Sequence, residues 1–294
     1  MRRILFLPAF AAAAILSAAF AATAAAAPPL KLEVYNPGPQ AMFPVSSVLV
    51  TGQKEAILVD AQFGKTQASQ LVDRIQASGK TLTTIYISHG DPDYYFGLET
   101  IKAAFPAARI VASPQTVAHI QLTRADKLAF WGPKLAADAP QATIVPEVLQ
   151  GDSLSLEGQR LDVVGLDGPQ PERSFVWIPS IKAVVGGVVL SNNEHVWMAD
   201  TQTPKSHEDW LATLKSIQAL RPRVVVPGHF LAGRSTPLHA AAFTADYIRT
   251  FDAEAAKAKD SAALVAAMKK RYPQLPADAG LDISAQVAKG ELKW

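Results

Sequence analysis

His89, Asp91 and Asp93 stand at alternate positions in Ser88-His89-Gly90-Asp91-Pro92-Asp93-Tyr94. An imidazole is a ready metal ligand or proton carrier, and carboxylates beside it can share a cation. The run just before them, Ile85-Tyr86-Ile87, is short, apolar and β-branched, which reads as a buried strand. A rigid strand that empties into a His/Asp loop is where an α/β protein aims polar ligands. A helix is expected to follow over about 94–105. A second buried run, Val224-Val225-Val226, ends in Pro227-Gly228-His229-Phe230.

The frame around His89 resembles the His-x-His-x-Asp-His motif of the metallo-β-lactamase superfamily. His89 and Asp93 match it. Asp91 replaces the second histidine and Tyr94 the last. The likeness runs from about Val45 to about Ala232 and is sharpest at this loop and at Val226-Pro227-Gly228-His229. It implies an α+β fold, the αββα sandwich, in which Asp60 supports the metal loop from behind. It also implies that one metal would take His89, Asp91 and, where a third histidine normally lies, Asp167. The other would take Asp93 and His229, but Tyr94 and Val188 stand where a histidine and a bridging carboxylate belong. Valine coordinates nothing, and a phenol is a poor ligand near neutrality. The expectation is therefore one divalent ion (zinc, manganese or iron) on His89, Asp91 and Asp167, or on a rearranged set that includes Asp93 and His229.

The function implied is a metal-dependent hydrolase of a small ester, lactone, amide or phosphoester, using a metal-activated water. Asp93 would orient that water or take its proton, and Tyr94 would donate to developing negative charge. Packing beside Tyr95 and Phe96 is the plainer role for Tyr94. The zinc ligand set used for opening β-lactams is not intact. The alternative is a non-catalytic periplasmic ligand-binding protein with a relic site, its aspartates hydrogen-bonded to loop amides.

These residues need elements to position them. Strands are expected over 31–36, 46–51, 55–60, 109–112, 151–156, 159–166, 174–178 and 182–190. Helices are expected over 65–78 and 114–130, from Ser206, and over 237–270. Residues 131–140 read as a loop, with Phe130 and Trp131 either at a substrate entrance or packing a helix. His119, His207 and His239 read as helix residues. His195 reads as a turn residue that, with Trp197 and Asp200, could lie at the edge of the site.

Met1-Arg2-Arg3 and the alanine-rich run to Ala27 have the form of a secretory signal peptide, leaving 28–294 as a single domain with a helical tail. A periplasmic or secreted location follows, without a stable membrane anchor after cleavage. There is no cysteine, so no disulfide or lipoprotein anchor. Removing Arg2 and Arg3 from the 28 basic residues leaves them matched with the 26 acidic ones, and no basic patch points to nucleic acid. A small-molecule substrate is the expected partner. The sequence does not define the oligomeric state.

Overall fold

The computed structural model describes residues 28–233, 237–276 and 279–294. The expected signal peptide, 1–27, lies outside them. The chain opens with an antiparallel meander of β1 (Lys31–Tyr35), β2 (Ser47–Thr51) and β3 (Glu55–Val59). Helix α1 (Lys65–Ala77) then returns it to β4 (Thr81–Ile87), which lies parallel to β3. Helices α2 (Pro92–Tyr95) and α3 (Leu98–Ala104) lead to β5 (Arg109–Ala112). The long α4 (Pro114–Leu135) leads to β6 (Glu147–Val148) and completes a six-stranded sheet in sequential order.

A second sheet is built from β7 (Ser153–Leu156), β8 (Gln159–Val164), β9 (Phe175–Ile178) and β10 (Ala183–Val185). After β11 (Ser191–Asn192) and α5 (Pro204–Ala219), the short β12 (Val224–Val225) joins its edge beside β10. β13 (His229–Phe230) pairs in parallel with β11, setting His229 opposite Ser191. The tail folds as α6 (Ala240–Ala255), α7 (Ser261–Arg271) and α8 (Ala279–Ala288).

Strand alternation explains the layering. In β3 and β4, Ile57, Val59 and Tyr86 enter a core with Leu161, Val163, Val176 and Val185 of the second sheet. Their neighbours Leu58, Ile85 and Ile87 face outward, under Leu71 and Ile75 of α1 and Ile101 of α3. The second sheet turns Phe175 and Val184 toward Trp210 and Leu214 of α5 and toward the tail helices. Strands buried on both faces read as continuous apolar runs, as Ile85-Tyr86-Ile87 does. The result is the expected αββα sandwich, an α+β fold.

Four elements differ from expectation. The helix after the His/Asp loop breaks at Phe96-Gly97, because the Gly97 amide donates to the Gln62 carbonyl and a Cβ there would lie 2.0 Å from the Ala61 carbonyl oxygen. Helix α4 runs through Pro133 and absorbs much of the expected loop. The strand expected over 182–190 stops at Val185, because Gly186 and Gly187 take positive φ. The tail divides at Asp260, whose carboxylate caps α7 through the Ala263 amide.

Candidate metal centre and its aromatic cavity

The loop that carries His89 is fastened from behind. Asp60 leaves β3 with a left-handed backbone (φ 66), which aspartate tolerates. Its buried carboxylate accepts from the Ser88 amide at 2.8 Å and the Ser88 hydroxyl at 2.7 Å. The same hydroxyl accepts from the Gly187 amide at 2.7 Å. Burial pushes Asp60 up to about 7, although the Ser88 bonds and His89 pull it down. Asp60 thus fastens the start of the loop to the end of β3, and through the Ser88 hydroxyl the loop is also tied to Gly187 at the end of the second sheet.

His89 is 6 % exposed and held at its Nδ1, 3.1 Å from the Glu172 carbonyl. A carbonyl only accepts, so Nδ1 carries the proton. Nε2 then faces Asp91 Oδ2 at 3.3 Å. This is the arrangement that presents an imidazole lone pair to a cation. Burial disfavours the charged ring, but Asp91 outweighs it and raises the His89 pKa. Asp91 is at the N-cap of α2 yet makes no capping bond with its side chain. Its other oxygen instead accepts from Lys127 of α4 at 3.2 Å. Burial works against the Asp91 carboxylate, and His89 and Lys127 overcome that and hold its pKa far below the usual range.

The acid that completes a group with these two is Asp200. One ligand atom from each of His89, Asp91 and Asp200 lies within 4.8 Å of the others. Asp200 is the exposed member, yet desolvation of its carboxyl and the nearby Asp91 raise it to about 6. Asp167 stands apart from this group. It is exposed, in a turn after β8, where the chain swings out before Pro171–Arg173 brings Glu172 back to His89. One imidazole and two carboxylates suit a single divalent ion, with oxygen donors favouring manganese or iron alongside zinc.

Asp93 and His229 form a second pair. Nε2 of His229 lies 2.9 Å from Asp93 Oδ2, and its Nδ1 is 3.8 Å from Glu194 Oε1. Burial opposes a charged ring there, but Asp93 and Glu194 raise it to about 9. Tyr94 packs edge-on between the two histidines, with ring centroids 5.3 Å from His89 and 5.7 Å from His229. Its hydroxyl is buried without a hydrogen-bond partner, and burial pushes its pKa well up, so it stays a phenol. Val188 is buried in the wall beside it.

Asp91, Asp93, Tyr94 and His229 border a cavity of about 340 Å³. Its walls are rich in aromatic rings, with Phe43, Phe63, Phe130, Trp131, Trp197 and Trp294 among them. Phe130 and Trp131 therefore lie at the cavity, and His195 lines it too. His119 packs against the site loop, its Cδ2 2.5 Å from where a Cβ on Gly90 would stand. His207 is held by Asp252 and the Thr201 carbonyl.

Lys127, Glu172 and Trp294 carry no local signal in the sequence that marks them as site residues, and Asp200 is marked only as a possible site-edge residue; each comes from far along the chain.

A search of curated proteins finds no match. Among solved structures, a metallo-beta-lactamase family protein from Thermus thermophilus is similar with a TM-score of 0.61 and 18% identity, over 89% of this chain and 91% of that one. A metallo-beta-lactamase from Pontibacter korlensis aligns with a TM-score of 0.53 and 17% identity, over 75% of this chain and 95% of that one. At such identities these likenesses speak to the fold. The family model described as the metallo-beta-lactamase superfamily matches residues 42–229, from the strand pairs ahead of the His89 loop to His229 itself, and on that match the chain belongs to this superfamily.

Proposed function

We propose that the protein is an exported, single-ion hydrolase acting on a small ester, lactone, amide or phosphoester with an apolar body. The observation that carries this reading is the His89 arrangement. Its Nδ1 is committed to the Glu172 carbonyl, so Nε2 is left to share a cation with Asp91 and Asp200. A divalent ion on these three groups would supply Lewis-acid polarisation of the substrate's carbonyl or phosphoryl oxygen.

The chain's own residues do the rest. The aromatic walls bind the apolar part of the substrate and exclude water from around it. Asp93 borders the same cavity and is held in place by His229, which suits it to orient a water or hold its proton. Lys127 stands at the cavity with its ammonium on Asp91, a fixed positive charge beside the reacting centre. Tyr94 retains a phenolic proton to donate.

The second reading is a ligand-binding protein without catalysis. Two observations favour it: Lys127 already places a cation on Asp91, and His229 is already matched by Asp93 and Glu194. Elemental analysis separates the two. Protein purified without added metal or chelator should carry about one equivalent of manganese, iron or zinc, and His89→Ala should lose it. Absence of metal, even after incubation with each ion, would leave the binding-protein reading. With metal present, turnover is to be sought among aryl esters, lactones and phosphoesters.

A further inference from the structure

Trp294 touches both halves of the site. Its indole N–H donates to Asp200 Oδ1 at 2.6 Å. Its ring lines the cavity and packs edge-on against Trp197, 5.1 Å away, and Phe130, 6.1 Å away. The Lys127 ammonium lies 4.9 Å from the centre of the same ring. Lys127 in turn binds Asp91. Beyond the contact of Asp91 with His89, the two acids of the centre are thus held by Lys127 and Trp294, and those two hold each other.

Asp200 needs such a partner. It sits in a turn between β11 and α5, exposed, with no strand or helix of its own to fix its direction. An indole N–H orients a carboxylate without adding a positive charge that would compete with a metal ion. It occupies one lone pair and leaves the others to coordinate. We propose that Trp294 is a positioning residue for the metal centre, setting the hold on the ion through Asp200 while its ring forms the wall against which substrate lies. This rests on the metal-dependent reading above.

The test is calorimetric titration of the metal-stripped full chain with Mn²⁺ and Zn²⁺. Trp294→Phe keeps a ring and removes the N–H. It should weaken metal binding about 10–100-fold, the usual consequence of losing a group that orients a ligand. The metal-free melting temperature should stay at the wild-type value. In an Asp200→Asn background the same change should cost little more, because its path to the ion is already cut. Unchanged affinity in Trp294→Phe, or an undiminished effect beside Asp200→Asn, overturns the proposal while the metal centre stands. No uptake of either ion by the wild type would instead sink the metal-dependent reading, and this inference with it. Should the variant fail to fold, wild-type protein labelled with 5-fluorotryptophan provides the check. Its five tryptophans give five fluorine resonances. At least one should shift on Zn²⁺ addition, and five unmoved resonances overturn the proposal.

Discussion

At the scale of single residues, the centre turns on which aspartate meets His89 and Asp91. Asp200 does so within 4.8 Å, whereas Asp167 is exposed in a turn. Replacing each by asparagine keeps size and removes charge. Asp200→Asn should lower metal affinity beyond the about 10–100-fold typical of supporting residues, whereas Asp167→Asn should leave it within about twofold. Equal losses in both, read by titration of metal-stripped protein, would defeat the assignment. The asymmetry also shows what the sequence could reveal. His89, Asp91 and Asp93 are legible because one strand and one loop carry them together. His229 is legible because it ends a second apolar run. Asp200 has no such local mark. It reaches the centre through a turn whose course depends on β11, α5 and Trp294, and no spacing rule within the chain encodes that path.

At the scale of elements, the loop is held where two sheets meet rather than by its own sequence. Ser88 is the joint: it donates to Asp60 and accepts from Gly187, linking β4, β3 and the end of β10. Ser88→Ala leaves the Gly187 amide and one Asp60 oxygen buried without that partner. Each orphaned group costs about 1–3 kcal/mol, so the denaturant midpoint should fall clearly, and metal affinity with it. A variant as stable as wild type would show that the joint does not hold the loop. Gly187 tests the same junction by a different force. Its φ is +80 and an added Cβ would stand 2.2 Å from the Ser174 carbonyl oxygen, so Gly187→Ala should destabilise the fold more than Ser88→Ala. The αββα sandwich is legible through the likeness carried by the His89 loop and Val226-Pro227-Gly228-His229, because strands buried on both faces, as β3 and β4 are, read only as continuous apolar runs. The ends of elements are less so. The break at Gly97 and the stop at Val185 come from backbone meeting backbone across the fold, at Ala61 and Ser174, and a linear reading holds no trace of those neighbours.

At the scale of the whole molecule, His195 couples the cavity to the tail helices. It is 5 % exposed, lines the cavity, and meets the Tyr247 hydroxyl of α6 through Nδ1 at 2.9 Å. Its Nε2 is buried without a hydrogen-bond partner. Burial, reinforced by Lys269 and only partly offset by Asp282, pushes its pKa down to about 4. The folded protein therefore resists protonating it, whereas an unfolded chain takes the proton near pH 6.5. Between those two values the unfolded state binds more protons, so this residue's contribution turns against folding as pH falls from about 6.5 to 4. The absolute stability curve mixes this with opposite trends. Asp60 and Asp200, raised to about 7 and 6, lose stability as pH rises above the usual carboxylate range, and His229, raised to about 9, loses it above pH 6.5. A difference isolates His195. Wild type and His195→Gln, compared by urea unfolding in metal-free buffer at pH 7.5, 6, 5 and 4.2, should diverge in the variant's favour with each step down. A gap that stays constant across the series would mean that His195 takes up its proton at the same pH folded and unfolded, and that the tail helices do not hold it neutral at the cavity wall.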